Sequence, residues 1–122
     1  MPGINRFEDI RGWQKARELV REIYTITDVG PFKRDWGLRD QIRRASVSAM
    51  SNIAEGFARK NDREFVRFLN FASASAVEVQ SQLYVALDIG YLDQAQFERL
   101  YSLARETIAL IAGFRSTLHP QF

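Results

Sequence analysis

The stretch Asn61-Asp62-Arg63-Glu64-Phe65-Val66-Arg67-Phe68-Leu69-Asn70-Phe71-Ala72-Ser73-Ala74-Ser75-Ala76-Val77-Glu78-Val79, continued by Gln80-Ser81-Gln82-Leu83-Tyr84-Val85-Ala86-Leu87, decides the fold class. Phe65, Phe68, Leu69, Ala72, Ala76, Val79, Leu83, Ala86 and Leu87 recur at steps of three and four. That is the period of one helix face, and no alternating strand pattern competes with it. Asn61 followed by Glu64 is a helix-start signal, and Gly90 is a natural stop. A helix over about 62–89 follows.

The same rhythm extends outward in both directions. Upstream, Leu38, Ile42, Ala45, Ala49 and Ile53 predict a helix over about 35–59. Before it, Asp9 is an N-cap candidate for a helix over about 9–27, with Trp13, Ala16, Val20, Ile23, Tyr24 and Thr27 on one face. Asp28-Val29-Gly30-Pro31 reads as its end. Downstream, Asp93-Gln94-Ala95-Gln96 opens a helix over about 93–118 that uses Phe97, Leu100, Tyr101, Ala104, Ile108 and Ile111. Short connections favour antiparallel neighbours. The expectation is an all-α, antiparallel up-down-up-down four-helix bundle, with residues 1–122 as one domain.

Composition narrows the function classes. The 122 residues are 46% hydrophobic and 26% charged, a globular balance that argues against disorder. There is no cysteine and one histidine, His119. Thiol catalysis, disulfide scaffolds, multi-histidine metal sites and histidine-based triads need more than this. Neither glycine-rich phosphate loop motif is present. The carboxylates have no cleft context that would tune them for acid–base work. We therefore expect no enzyme, no cofactor, no metal and no small-molecule substrate. No apolar run approaches the ~20 residues of a membrane span. The opening Met1-Pro2-Gly3-Ile4-Asn5-Arg6 resembles neither a signal nor a transit peptide. A cytoplasmic protein with no membrane contact is expected.

Charge is unevenly placed. The whole chain is +2, yet residues 33–67 hold nine bases against five acids and are +4, leaving −2 for the rest. Such asymmetry suits an anionic partner. Solvated helix faces carrying ion pairs are the plainer reading, and it weakens if several subunits gather these segments on one surface. Arg39, Arg43, Arg44, Arg59, Lys60, Arg63 and Arg67 are the candidate anion-facing set. No base-reading signature accompanies them, so nucleic-acid binding here would be dominated by phosphate contacts and sensitive to salt.

Two predicted helices carry more apolar surface than a core stripe needs. Beside the stripe of the second lie Val47, Met50, Ala54 and Phe57. On the third, Val66, Phe71, Val77, Tyr84 and Val85 fall outside the stripe. Burying apolar surface contributes about 25 cal/mol per Å². Self-association through Val47, Met50, Phe57, Val66, Phe71, Val77 and Tyr84 is the expectation; broad packing inside one protomer is the alternative. Phe71-Ala72-Ser73-Ala74-Ser75-Ala76 leaves little side chain on the middle of the third helix, and Ser46, Ser48, Ala49 and Ser51 do the same on the second, which suits close helix approach. Gly56 either permits such a contact or begins to fray its helix; both readings stay open. Arg44, Ser48, Ser51 and Glu55 share one face with Asn52 beside it, and Arg59 continues it. This stripe reads either as an anion or acidic-partner site or as a polar network that sets helix register.

The run Gln41-Ile42-Arg43-Arg44-Ala45-Ser46-Val47-Ser48-Ala49-Met50-Ser51-Asn52-Ile53-Ala54-Glu55-Gly56-Phe57 resembles the signature of the four helix bundle protein family, also called the 23S ribosomal RNA intervening-sequence protein family. Phe7-Glu8-Asp9-Ile10, Trp13-Gln14-Lys15-Ala16, Glu64-Phe65-Val66-Arg67-Phe68-Leu69-Asn70, Gln82-Leu83 and Gly90-Tyr91-Leu92 support the likeness. The resemblance implies a cytoplasmic helical bundle that assembles as a ring, commonly a pentamer, with no known catalysis. It also implies kinship with the accessory variability determinant of diversity-generating retroelements, which binds a reverse transcriptase and nucleic acid. Met50 stands where the family usually has proline, and Ala74 where glycine is frequent. The substitution at Met50 predicts an unkinked helix. The expected function is a non-enzymatic, ring-forming protein that binds RNA, DNA or a nucleic-acid-processing enzyme such as a reverse transcriptase. The alternative is a protein-interaction scaffold with no nucleic-acid role.

Overall fold

The computed structural model describes residues 3–120; Met1 and Pro2, part of the hexapeptide considered above, lie outside the described residues. The fold is all-α, but the simple four-helix bundle expected from the periodicity is corrected. Among the described residues there are five α-helices, four of them long: α1 (Arg11–Ile26), α2 (Gly30–Arg34), α3 (Trp36–Ala58), α4 (Asp62–Asp88) and α5 (Gln94–Arg115). A 3-10 turn, Phe7–Asp9, precedes them.

The added helix explains the correction. Gly30 takes φ +60, a left-handed conformation that ends the preceding chain direction, and Pro31 then sits in the first turn of α2. Proline suits that position because its missing N–H would have no helical partner there. The Gly-Pro pair therefore starts a helix as well as stopping one. Phe32 of α2 is buried and stacks with Tyr91, their ring centroids 5.1 Å apart. The short helix thus plugs one end of the core.

The long helices alternate in direction. Leu19 and Ile23, late in α1, share a cluster with Ile42 and Ala45, early in α3. Val79, Leu83 and Ala86, late in α4, join them with Phe97, Leu100 and Ala104, early in α5. A second cluster at the other end joins Trp13 and Ala16 to Ile53, to Phe65, Leu69 and Ala72, and to Ile111. Small buried residues, Ala49, Ala76 and Thr107, fall between the two clusters along the helices. Each long helix packs on two others, α1 on α3 and α5, and α4 on α3 and α5.

Local signals account for most of the boundaries. Asn61 Oδ1 accepts the Glu64 N–H at 3.0 Å and opens α4. Asp93 and Gln96 form a reciprocal capping box on α5. Gly90 closes α4 with φ +83. The start of α1 differs from expectation. Asp9 lies in the 3-10 turn, and the N-cap is Ile10, whose side chain is buried and makes no capping bond. Here apolar burial outweighs a polar cap. α3 runs unbroken through Met50.

A tyrosine joins the far loop to a helix start. Asp35 caps α3 by accepting the Leu38 N–H through Oδ1 at 3.1 Å. Its Oδ2 accepts from the Tyr91 hydroxyl at 2.9 Å. That hydrogen bond is the main reason the Tyr91 phenol is held above its ordinary pKa, with burial and the Asp35 charge adding to it.

Candidate nucleic-acid interface

The seven expected cations form two groups, not one. Arg39, Arg43 and Arg44 lie in the first half of α3; Arg59, Lys60, Arg63 and Arg67 surround the turn between α3 and α4. At 1.5 Å per residue, Arg43 and Arg59 are about 24 Å apart along the helix.

The first group is largely occupied with holding the fold. Arg39 Nη1 donates to the Lys33 carbonyl at 2.9 Å, and its Nε donates to Asp40 at 3.1 Å. Arg43 Nε donates to the Thr27 hydroxyl at 2.8 Å, while its guanidinium lies 4.4 Å from the Tyr24 ring centroid. Both side chains clip α3 to the segment that ends α1 and forms α2. Arg44 is exposed beside Tyr24, Asp40 and Val47, in a hollow of about 320 Å³.

Three members of the second group, Arg59, Lys60 and Arg67, lie on aromatic rings. Arg59 and Arg67 both lie on Phe68, with guanidinium-to-centroid distances of 4.7 and 5.9 Å. Arg67 also lies 5.2 Å from Phe71, and the Lys60 ammonium is 5.6 Å from Phe57. Stacking of this kind holds a cation at the surface without burying its charge. Two acids share the region. Glu64 Oε1 is 3.6 Å from Arg67, and Asp62 accepts the His119 N–H at 3.1 Å. The latter contact brings the segment that follows α5 against the turn. His119 contributes its backbone there, not its imidazole.

Gly56 makes this corner tight. A Cβ built on it would stand 2.8 Å from Phe65 Cδ1 and 2.8 Å from Phe68 Cβ. Of the two readings open in the sequence, close helix approach is the one realised, and Gly56 lies inside α3. Lys60 completes the turn with φ +57, the only non-glycine with positive φ among the described residues.

Of the polar stripe of α3, Ser48 and Asn52 form a packing network. Asn52 Nδ2 donates to the Ser48 carbonyl at 2.9 Å and to its hydroxyl at 3.0 Å. Ser48 and Ser75 hydroxyls lie 2.8 Å apart across the α3–α4 seam. Ser51, Glu55 and Arg44 remain exposed outside that network. On α4, Gln82 donates to Glu78, but its buried Oε1 has no partner among the described residues.

The expected self-association residues also divide. Met50, Phe57 and Val66 are partly buried against the core cluster nearest the α3–α4 turn. Tyr84 is half exposed, yet it packs on Phe97 and Tyr101 at 4.8 and 5.7 Å. Val47, Phe71 and Val77 are exposed. The reading from sequence missed Trp36, which is 69% exposed. Its signal was present, since Trp36 precedes the core stripe and falls seven residues before Arg43, on the flank toward α1.

Among the described residues no helix is long and apolar enough to cross a membrane. No group of three or more His, Asp or Glu residues is placed to hold a metal ion among them.

These features define a class: an all-helical protein with long alternating helices and an arginine-rich helical hairpin. The chain belongs to the 23S rRNA-intervening sequence protein family, whose profile matches residues 8–113. It is also similar in fold to a solved Bacteroides thetaiotaomicron protein of unknown function from the S23 ribosomal protein family. That likeness has a TM-score of 0.77 at 21% identity, covering 85% of this chain and 97% of the other. No curated protein matches the chain.

Proposed function

We propose that this protein is a non-enzymatic, self-associating nucleic-acid binder, and that the α3–α4 turn is its contact surface. The observation that carries the reading is the gathering of Arg59, Lys60, Arg63 and Arg67 around one helical corner, with Arg59 and Arg67 stacked on the same Phe68 ring. Guanidinium groups braced in this way present N–H donors to phosphate at small entropic cost. Binding of this kind is salt-dependent and weakly selective.

Self-association would multiply that surface. Val77 and Tyr84 lie on the α5 side of α4, whereas Trp36, Val47 and Tyr24 flank the α1–α3 groove. Because α1, α3, α4 and α5 neighbour one another in a closed cycle, these two patches are on opposite faces. Patches that differ and do not coincide favour head-to-tail association, which gives a ring when the rotation closes. A ring would repeat the basic corner once per subunit. The pentameric state, the kinship with the retroelement accessory protein and a reverse-transcriptase partner are finer parts of the same proposal, as is a cytoplasmic location.

Fluorescence anisotropy with generic RNA and DNA across a salt series tests the reading, alongside sedimentation. Binding at about 50 mM salt that weakens steeply as salt rises supports it. Loss of binding in a double Arg63→Glu, Arg67→Glu variant that stays folded supports the assigned surface. Absent binding, or binding indifferent to salt, overturns it and leaves the scaffold role, which the exposed Trp36 face would serve.

A further inference from the structure

Phosphate attraction does not account for Phe71. This ring is 44% exposed, yet it is held in place. One contact is edge-to-face with the buried Phe68, the centroids 5.7 Å apart and the planes at 80°. The other is the Arg67 guanidinium, 5.2 Å from its centroid.

Beside it is an open hollow of about 520 Å³, lined by Arg63, Glu64, Val66, Arg67, Asn70 and Phe71. Its chemistry is mixed in a particular way. Val66 and Phe71 supply apolar wall, and Arg63 and Arg67 supply positive charge. Asn70 is oriented, because its Oδ1 accepts from Arg115 Nη1 at 2.6 Å. Its Nδ2 is therefore the amide end that can donate to a ligand. Glu64, 3.6 Å from Arg67, offsets part of the local charge, so the hollow is a poor trap for a run of bare phosphates.

A flat π-system joined to a single anionic group matches these walls. An unpaired nucleotide has that composition, whereas a base inside a duplex keeps both its faces against its neighbours. We propose that the hollow takes one unpaired base of a single-stranded nucleic acid, stacked on Phe71, with its phosphate between Arg63 and Arg67. The proposal rests on the nucleic-acid reading above and narrows it to single strands. Phe71 is free for this role because at 100° per residue it is turned at least 120° from Val77 and Tyr84. It is therefore outside the α5-side patch assigned to self-association.

The test compares a short single strand with a blunt duplex of equal length, by anisotropy on the full chain. A second strand carries a fluorescent purine analogue whose emission is quenched by stacking. Phe71→Leu keeps apolar volume but removes the π face. The expected result is a wild-type preference for the single strand, and a loss of about 5- to 150-fold for that strand alone in Phe71→Leu. Quenching should fall with it, and duplex affinity should hold. Unchanged single-strand affinity in Phe71→Leu, with binding lost in Arg63→Glu, Arg67→Glu, overturns stacking and leaves the phosphate reading intact. If the wild type binds neither form, both fall together. A changed particle mass for Phe71→Leu in sedimentation also overturns the proposal, by assigning the ring to contact between copies.

Discussion

The backbone of Gly56 on α3 lies against Phe68 on α4 so closely that a methyl group on Gly56 would come within 2.8 Å of Phe68 Cβ. A Cβ cannot swing aside as a side-chain tip can, so the two helices are locked at this separation. The same Phe68 ring carries Arg59 and Arg67. The closeness of the helices therefore sets the spacing of the cations above them.

Gly56→Ala is expected to destabilise the fold. Overpacking costs about 1–3 kcal/mol, against about 1 kcal/mol gained from better helix propensity. The net loss is up to about 2 kcal/mol, read as a lower urea midpoint. A gain in stability would show that the approach of α3 to α4 is looser than described.

Lys60→Gly separates stability from binding. A lysine at φ +57 costs on the order of 1 kcal/mol that glycine does not. The variant should melt later, yet bind nucleic acid more weakly and with a shallower salt dependence, because one cation is gone. Parallel changes in both properties would remove Lys60 from the contact surface.

Arg43→Ala distinguishes structural from functional arginines. It removes the bond to Thr27 and the contact with Tyr24, and should lower stability by about 1–2 kcal/mol. Nucleic-acid affinity should change little. A loss of affinity as large as that of Arg63→Glu, Arg67→Glu, in folded protein, would return Arg43 to the anion-facing set.

Tyr91→Phe should lower the urea midpoint at neutral pH by removing the hydroxyl that donates to Asp35. The folded-state pKa of Tyr91 is raised. Its contribution is thus fully present below the ordinary tyrosine value and fades as pH rises through the raised one. The gap between wild type and variant should close in strongly alkaline buffer. A gap that persists there would mean that the ring, not the hydroxyl, holds the loop.

Acid should act through Glu22, whose pKa is lowered chiefly by the hydrogen bond from Arg99 at 2.8 Å. This pair joins α1 to α5. Its contribution is present above the ordinary glutamate value and is lost as pH falls through the lowered one. Glu22→Gln should flatten that part of the acid-unfolding profile, followed by circular dichroism, and leave the alkaline limb unchanged.

Much of the chain could be read without coordinates because its signals are local. Steps of three and four define which residues of α4 are buried, and Asn61, Gly90 and Asp93 act on backbone groups within a few positions of themselves. The four long helices, the caps of α4 and α5 and the uneven charge belong to this level. What could not be read depends on residues far apart in sequence. Ile10 displaced Asp9 as the N-cap of α1 because burial against another helix outweighed capping. Phe32 made a helix out of an expected turn because a core end needed covering. Seven cations that looked like one set became two, since a helix of 23 residues carries its ends apart while a tight turn folds neighbours together. Periodicity determined which face of each helix is apolar; only the packing of α3 on α4 decided which arginines meet, because that depends on how near two backbones can come.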